Sequence, residues 1–260
     1  FGRFNYDFAS KYLLEVLFRY DGSYKFPKET RYGFFPAASF GWRISEENFI
    51  KDNAPWINQL KLRASLGQTG NDAVSAYQYL QSYSFGGNFV FGTGTAAGLN
   101  PGTMPNPNIT WEKSTKYDLG LESLFWNGLL GAEVTLFKEK RTDILARRNL
   151  SIPETFGFPS LPDENIGEVK NQGFEIVLTH RKSFTDFSYN ISGNISYAKN
   201  KIIFMDETPN VEEYQNQTGH PVGSSLYYQA DGIFNTQEEL DSYPHHKSSQ
   251  VGDPKIIDLN

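Results

Sequence analysis

Along residues 187–197 every odd position is apolar, aromatic or glycine: Phe187, Tyr189, Ile191, Gly193, Ile195 and Tyr197. Every even position between them is small and polar: Ser188, Asn190, Ser192, Asn194 and Ser196. Side chains on a strand alternate faces, so this period of two predicts one long strand with an apolar face and a wet face. The pattern recurs. Tyr12, Leu14, Val16, Phe18 and Tyr20 alternate with a set that includes Lys11, Glu15, Arg19 and Asp21. Phe34, Pro36, Ala38, Phe40 and Trp42 form the next stripe, although Phe35 blurs its other face. Leu60, Leu62, Ala64 and Leu66 oppose Lys61, Arg63, Ser65 and Gly67. Ile109, Trp111, Tyr117, Leu119 and Leu121 oppose Glu112, Ser114, Lys116, Asp118 and Glu122. Leu130, Ala132, Val134 and Leu136 follow, then Phe174, Ile176 and Leu178. With "GRFNYDF" at the start, about eight amphipathic strands in antiparallel order are expected.

The connections alternate in length. Short links are expected around Ala9-Ser10, at Asn127-Gly128 (the preferred pair for a type I′ hairpin turn) and from Arg181 to Thr185. The link from Ile44 to Trp56 is longer, with one helical turn expected at "SEENFI", started by Ser45. The other end carries long Gly/Pro/Asn-rich loops at residues 69–108, 144–168 and from 200 onward, the last with a short helix in "NTQEELDSYP". No second domain boundary or internal repeat is evident.

Two architectures can use such strands: a soluble β-sandwich or a membrane barrel. Soluble strands average about 5–6 residues, whereas a membrane-spanning strand needs about 9–11. Several stripes here run for eleven residues, as at 187–197. Short turns at one rim and long loops at the other are the outer-membrane barrel arrangement. The fold class expected is therefore all-β, an antiparallel transmembrane β-barrel with long extracellular loops and short periplasmic turns. Leu14, Val16, Phe18, Leu60, Leu62, Leu119, Leu121, Val134, Ile176, Ile191 and Ile195 are the positions expected to face lipid. Tyr12, Tyr20, Trp42, Trp111, Trp126, Phe187 and Tyr197 would form interfacial girdles. The alternative is a soluble carbohydrate-binding β-sandwich module without transport.

Composition agrees and narrows the function. The 260 residues carry a net charge of −6, so nothing suggests a nucleic-acid partner. Cysteine is absent, which removes disulfides and thiolate metal sites. There is no run of about 18 apolar residues, so no transmembrane helix is expected. "FGRFNYDFAS" has no signal-peptide pattern, and the chain reads as a piece of something longer.

Several phrases resemble one family. "KYLLEVLFRYDGSYKF", "FPAASFGWRISEENF", "LKLRASLGQTGN", "NPNITWEKSTKYDLGLE", "NIGEVKNQGFEI" and "DGIFNTQEELD" occur in the order seen in the C-terminal half of SusC/RagA-type TonB-linked outer-membrane transporters. The resemblance implies that residues 1–260 are part of a β-barrel of about 22 strands, with the signal peptide, plug domain, TonB-contacting segment and remaining strands outside it. It implies import of a glycan oligomer or peptide, with a SusD-like surface lipoprotein as lid and the TonB complex as energy source. In the family "GDPKIIDLN" leads into a calcium-loop-like stretch; Asp258 and Asn260 alone assign no metal site.

Remaining motifs are weaker. "GTGTAA" (92–97) fits a dinucleotide fingerprint, but "GLNPGTMPNPN" after it cannot open a helix. His245-His246 lacks further ligands at metal spacing. Asp163-Glu164 and Glu212-Glu213 do not supply the two flanking carboxylates of glycoside hydrolysis. The N-x-S/T matches at Asn108, Asn149, Asn190, Asn194 and Asn216 read as chance. No catalytic residue, metal ligand or cofactor is expected. Loop aromatics are the candidate ligand contacts: Tyr77, Tyr79, Tyr83, Phe85, Phe89, Phe91, Tyr227 and Tyr228, with Phe156, Phe158 and Tyr214 in the wider set.

Overall fold

Alternation at period two becomes strand pairing throughout the computed structural model, which describes residues 1–148, 157–158, 160–207 and 212–257. The strands are β1 (Gly2–Phe8), β2 (Tyr12–Gly22), β3 (Tyr32–Arg43), β4 (Ile57–Asn71), β5 (Tyr83–Phe91), β6 (Gly94–Pro101), β7 (Glu112–Phe125), β8 (Leu130–Arg147), β9 (Asp163–Ser183), β10 (Ser188–Phe204), β11 (Ala230–Ile233) and β12 (Pro254–Ile256). Two short helices are α1 (Asn48–Asn53) and α2 (Gln237–Ser242). Eight strands form one sheet in the order β1-β2-β3-β4-β7-β8-β9-β10, every pair antiparallel. The chain groups into two compact units, Phe1–Val222 and Gly223–Asn260, dividing within the long loop that follows β10.

The register puts the apolar stripes in line. One row crosses all eight strands as Phe8, Tyr12, Trp42, Leu62, Leu121, Val134, Ile176 and Ile195. The next row is Tyr6, Leu14, Phe40, Ala64, Leu119, Leu136, Phe174 and Tyr197. Between them, on the opposite face, lie Asp7, Leu13, Gly41, Arg63, Gly120, Thr135, Glu175 and Ser196. All the positions expected to face lipid share the first face. Among the described residues nothing covers it: Leu119 is 47% exposed, Leu136 52% and Ile195 67%. A sandwich would bury these side chains under a second sheet, so the sandwich reading falls.

Turn chemistry follows the sequence at one rim. Leu129 N–H donates to Trp126 O at 3.2 Å across Asn127 (φ 57°) and Gly128 (φ 79°), the positive pair a type I′ turn requires. The link after β3 differs from expectation. Ser45 starts no helix; it is buried inside a 3-10 turn, Ile44–Glu46, and Glu47 occupies the cap position of α1 without a side-chain capping bond. Its carboxylate is engaged elsewhere, accepting from Lys11 Nζ at 2.9 Å, Tyr12 Oη at 2.8 Å and Trp42 Nε1 at 3.2 Å. Three segments are thereby tied at this rim. In the second unit α2 forms as expected, with Thr236 Oγ1 accepting from Glu239 N–H at 3.2 Å.

The long-loop rim has its own core. Phe26, Phe35, Ile109 and Trp111 are buried together, with Val74, Tyr79 and Leu145 against them. Trp111 is therefore not a girdle residue, and Ile109 is not on a strand stripe. Both precede β7, and the chain before it is turned inward by Asn165, which donates to Thr110 O and accepts from Thr110 N–H at 2.9 Å each. Trp111 Nε1 donates to Arg31 O at 2.9 Å. Phe35, which blurred the pattern of its strand, is the seat of this cluster, on the face opposite Phe34. Its ring lies against Gly33 and Gly70, where a Cβ would overlap it. The β3–β4 ladder ends at Ala37–Gly67, next to Pro36, which has no N–H to donate.

Lys11, Tyr12 and Trp42 hold the Glu47 carboxyl down to about 2, and the same pairing raises the Lys11 amine. The folded state favours ionised Glu47, so its stabilisation is complete above the ordinary carboxylate range, about pH 4.3, and lost as pH falls towards 2. Urea titration of the full-length protein in lipid should show an acid-side loss of stability that Glu47→Gln flattens. An unchanged acid limb would contradict this role.

Candidate functional site

The polar face of the sheet carries an ordered ion-pair array. Arg63 on β4 reaches across two strands: Nε meets Glu122 Oε1 at 3.1 Å on β7, and Nη2 meets Glu133 Oε1 at 3.0 Å and Thr135 Oγ1 at 2.6 Å on β8. Lys61 adds a longer contact to Glu122 at 3.5 Å. The guanidinium can lie flat because its cross-strand partner is Gly120; a Cβ there would sit 2.6 Å from it. Nearer the loops Glu139, 9% exposed, accepts from Ser114 Oγ at 2.6 Å and Arg141 Nε at 2.9 Å. A shallow depression of about 260 Å³ runs beside it, lined by Lys116, Asp118, Asn171 and Glu175 among others. Such a surface can hold water and polar ligands, and the pairing satisfies Arg63, Glu122, Glu133 and Glu139 without neutralising the face.

The expected loop contacts divide into separate places. Tyr79 packs on the rim core. Tyr77 sits at φ 64° with its ring 6.2 Å from that of Tyr24 and 6.3 Å from that of Tyr79. Tyr83, Phe85, Phe89 and Phe91 lie on β5, which pairs only with β6 in a hairpin of its own, inside what the sequence shows as a loop. Gly86-Gly87 form a bulge there, opposite Gly98. The extra residue flips parity, so Tyr83 and Phe85 share one face and Phe89 and Phe91 the other. Phe85 is 86% exposed and Phe91 71%. Tyr227 and Tyr228 are highly exposed and belong to the second unit. Tyr214 lies in a 3-10 turn, Glu213–Gln215. Phe156, Asn149, Asp258 and Asn260 lie outside the described residues.

Residues 1–250 match the family model "TonB dependent receptor-like, beta-barrel". The chain belongs to the TonB-dependent receptor family. It is an outer-membrane β-barrel protein, and the eight-stranded antiparallel sheet is consistent with a segment of such a barrel. TonB-dependent receptor P26 of Formosa agariphila is 33% identical over all of this chain and 27% of that protein. TonB-dependent receptor SusC of Bacteroides thetaiotaomicron is 34% identical over 78% of the chain and 20% of that protein. The chain thus spans about a quarter of the length of these relatives. Among solved structures, the RagAB peptide importer in its closed-closed state superposes with TM-score 0.73 at 26% identity, covering 89% of this chain and 25% of that one.

In this receptor wall the polar stripe was legible as a wet face, yet its pairing was not. Arg63 stands opposite a glycine, and only the register shows that its partners lie one and two strands away. Gly120→Ala should cost roughly 1–3 kcal/mol by displacing the guanidinium. In an Arg63→Ala background the same change should cost much less, measured as a double-mutant cycle by urea titration of the full-length protein. Equal costs would mean that Gly120 serves the backbone alone.

Proposed function

We propose that this segment is part of the wall of a TonB-dependent importer that takes up a glycan oligomer or peptide beneath a SusD-like surface lipoprotein. The observation that carries the reading is the in-line apolar face across eight strands, backed by an ion-paired polar face. On this reading the apolar face meets outer-membrane lipid and the polar face lines the lumen. The loop rim with Phe26, Phe35, Ile109 and Trp111 stands outside the cell, and the TonB complex acts through regions beyond this chain. From Ala73 to Trp111 the sequence has no charged residue and no histidine. An uncharged aromatic surface suits stacking on sugar rings or packing under a lipoprotein lid, and the exposed Phe85, Phe89 and Phe91 present it.

Ile191→Arg or Leu62→Arg should cost roughly 2–4 kcal/mol if these side chains sit near the bilayer midplane, whereas Ser192→Arg should leave folding in lipid nearly unchanged. Equal costs on both faces would overturn the lipid assignment. Replacing Phe85, Phe89 and Phe91 together by alanine should reduce uptake by whole cells while surface protease still finds the receptor folded. Full uptake in that variant would remove the hairpin from substrate or lid contact.

A further inference from the structure

We propose that the outer face of β7–β10 carries, at the loop-side border of its apolar band, a binding site for phosphate-bearing lipid headgroups of the outer leaflet. The inference rests on the reading that the apolar face meets lipid.

Above the row Leu119, Leu136, Phe174 and Tyr197, the same face continues as Tyr117, Lys138, Gln172 and Lys199. The next row on this face is Thr115, Lys140, Lys170 and Lys201. Lys113 follows one step beyond on β7. The composition of the face thus changes from apolar to basic within one ladder step on β8 and β10 and within two on β9.

Two features set these lysines apart from ordinary surface charge. Lys140, Lys170 and Lys201 stand directly opposite one another on neighbouring strands, about 4.8 Å apart along the ladder, an arrangement that like charges make unfavourable. Their counterions are few. Lys140 pairs with Glu168 at 2.9 Å and Lys113 with Asp143 at 3.0 Å. Lys138, Lys170, Lys199 and Lys201 form no ion pair among the described residues. On the polar face, by contrast, Lys61 and Arg63 are matched by Glu122 and Glu133. The sequence as a whole is acidic, at −6, so this patch is a local reversal of sign.

Depth identifies the partner. On β10 the apolar stripe runs from Tyr189 to Tyr197, roughly 26 Å along the strand and about 20 Å in height at the usual tilt. Lys199 and Lys201 follow at the level of the headgroups, on the long-loop side. Ammonium groups in a row at that level match the spaced phosphates of an anionic headgroup through charge-assisted hydrogen bonds, and such binding relieves the repulsion between the lysines.

The test uses the full-length receptor in neutral detergent, with diphosphorylated lipid A, the same lipid dephosphorylated, and inorganic phosphate as probes. The variant combines Lys138→Gln, Lys170→Gln, Lys199→Gln and Lys201→Gln. Because it removes repulsion, it should melt without lipid at or above the parent temperature. The parent should bind the phosphorylated lipid at least about tenfold more tightly than the dephosphorylated one, and the variant should lose that preference. A variant that keeps the preference, or a parent without one, would overturn the site. Equal stabilisation by inorganic phosphate would overturn the headgroup assignment. Ile195→Cys, in a segment that has no native cysteine, separates the two readings: a label there that a bilayer-resident quencher reaches keeps the lipid face, so the lysine result then judges this site alone. An unquenched label would overturn both.

Discussion

Inside a bilayer no water is available to a backbone N–H or C=O, and each one left unpaired costs several kcal/mol. Everything in this sheet follows from meeting that demand. The ladders from β1 to β10 run antiparallel with bulges at strand ends rather than mid-band, as at Ile57/Gln59 and beyond Arg141. Where a donor is missing, at Pro36, pairing with β4 stops and the rim core begins. β1 and β10 are the outer strands of this sheet, and at its loop end β10 pairs further through Ile202 with Gly219 and His220. Register is fixed because a one-residue slip on β4, β7 or β8 would exchange apolar residues for charged ones, and on β10 isoleucines for serine and asparagine.

The same backbone scaffold presents two chemically opposite surfaces, and each is stabilised differently. On the proposed reading lipid supplies the contacts of the apolar side, which leaves residues such as Ile191 and Ile195 exposed in the chain itself. The polar side is the one proposed to meet water and ligand, and it carries ion pairs across strands, with Arg63 joining β4, β7 and β8. Within the first unit a buried cluster forms at the loop rim, where Phe35 and Trp111 replace strand pairing as the source of order, and the second unit buries its own Phe234 and Leu240. At the turn rim the Glu47 carboxylate does the equivalent with three hydrogen bonds.

The strands and their apolar faces were legible in the sequence because alternation is local and survives any register. Leu14, Leu62, Val134 and Ile176 can be placed on a face from their neighbours alone. The candidate site was legible only in part. The bulge at Gly86-Gly87 splits Phe85 from Phe89, and Tyr227 and Tyr228 fall in a different unit, facts that residue spacing does not encode. Trp111 read as a girdle residue because its parity continued a stripe, yet it precedes the ladder and is held inward by its own Nε1 donating to Arg31 O, 80 residues away, and by the bonds of its neighbour Thr110 with Asn165, 55 residues away.

What the sequence by itself determined is therefore the fold class, the strand faces, the two kinds of connection and the family. These depend on short-range periodicity, turn chemistry and ordered phrases. Only the tertiary structure decided which side chains meet across strands: Arg63 over Gly120, Phe35 on Gly70, and the line of Lys140, Lys170 and Lys201. Pairing register and loop closure join residues far apart in the chain, and no local pattern records which distant strand a given residue will face.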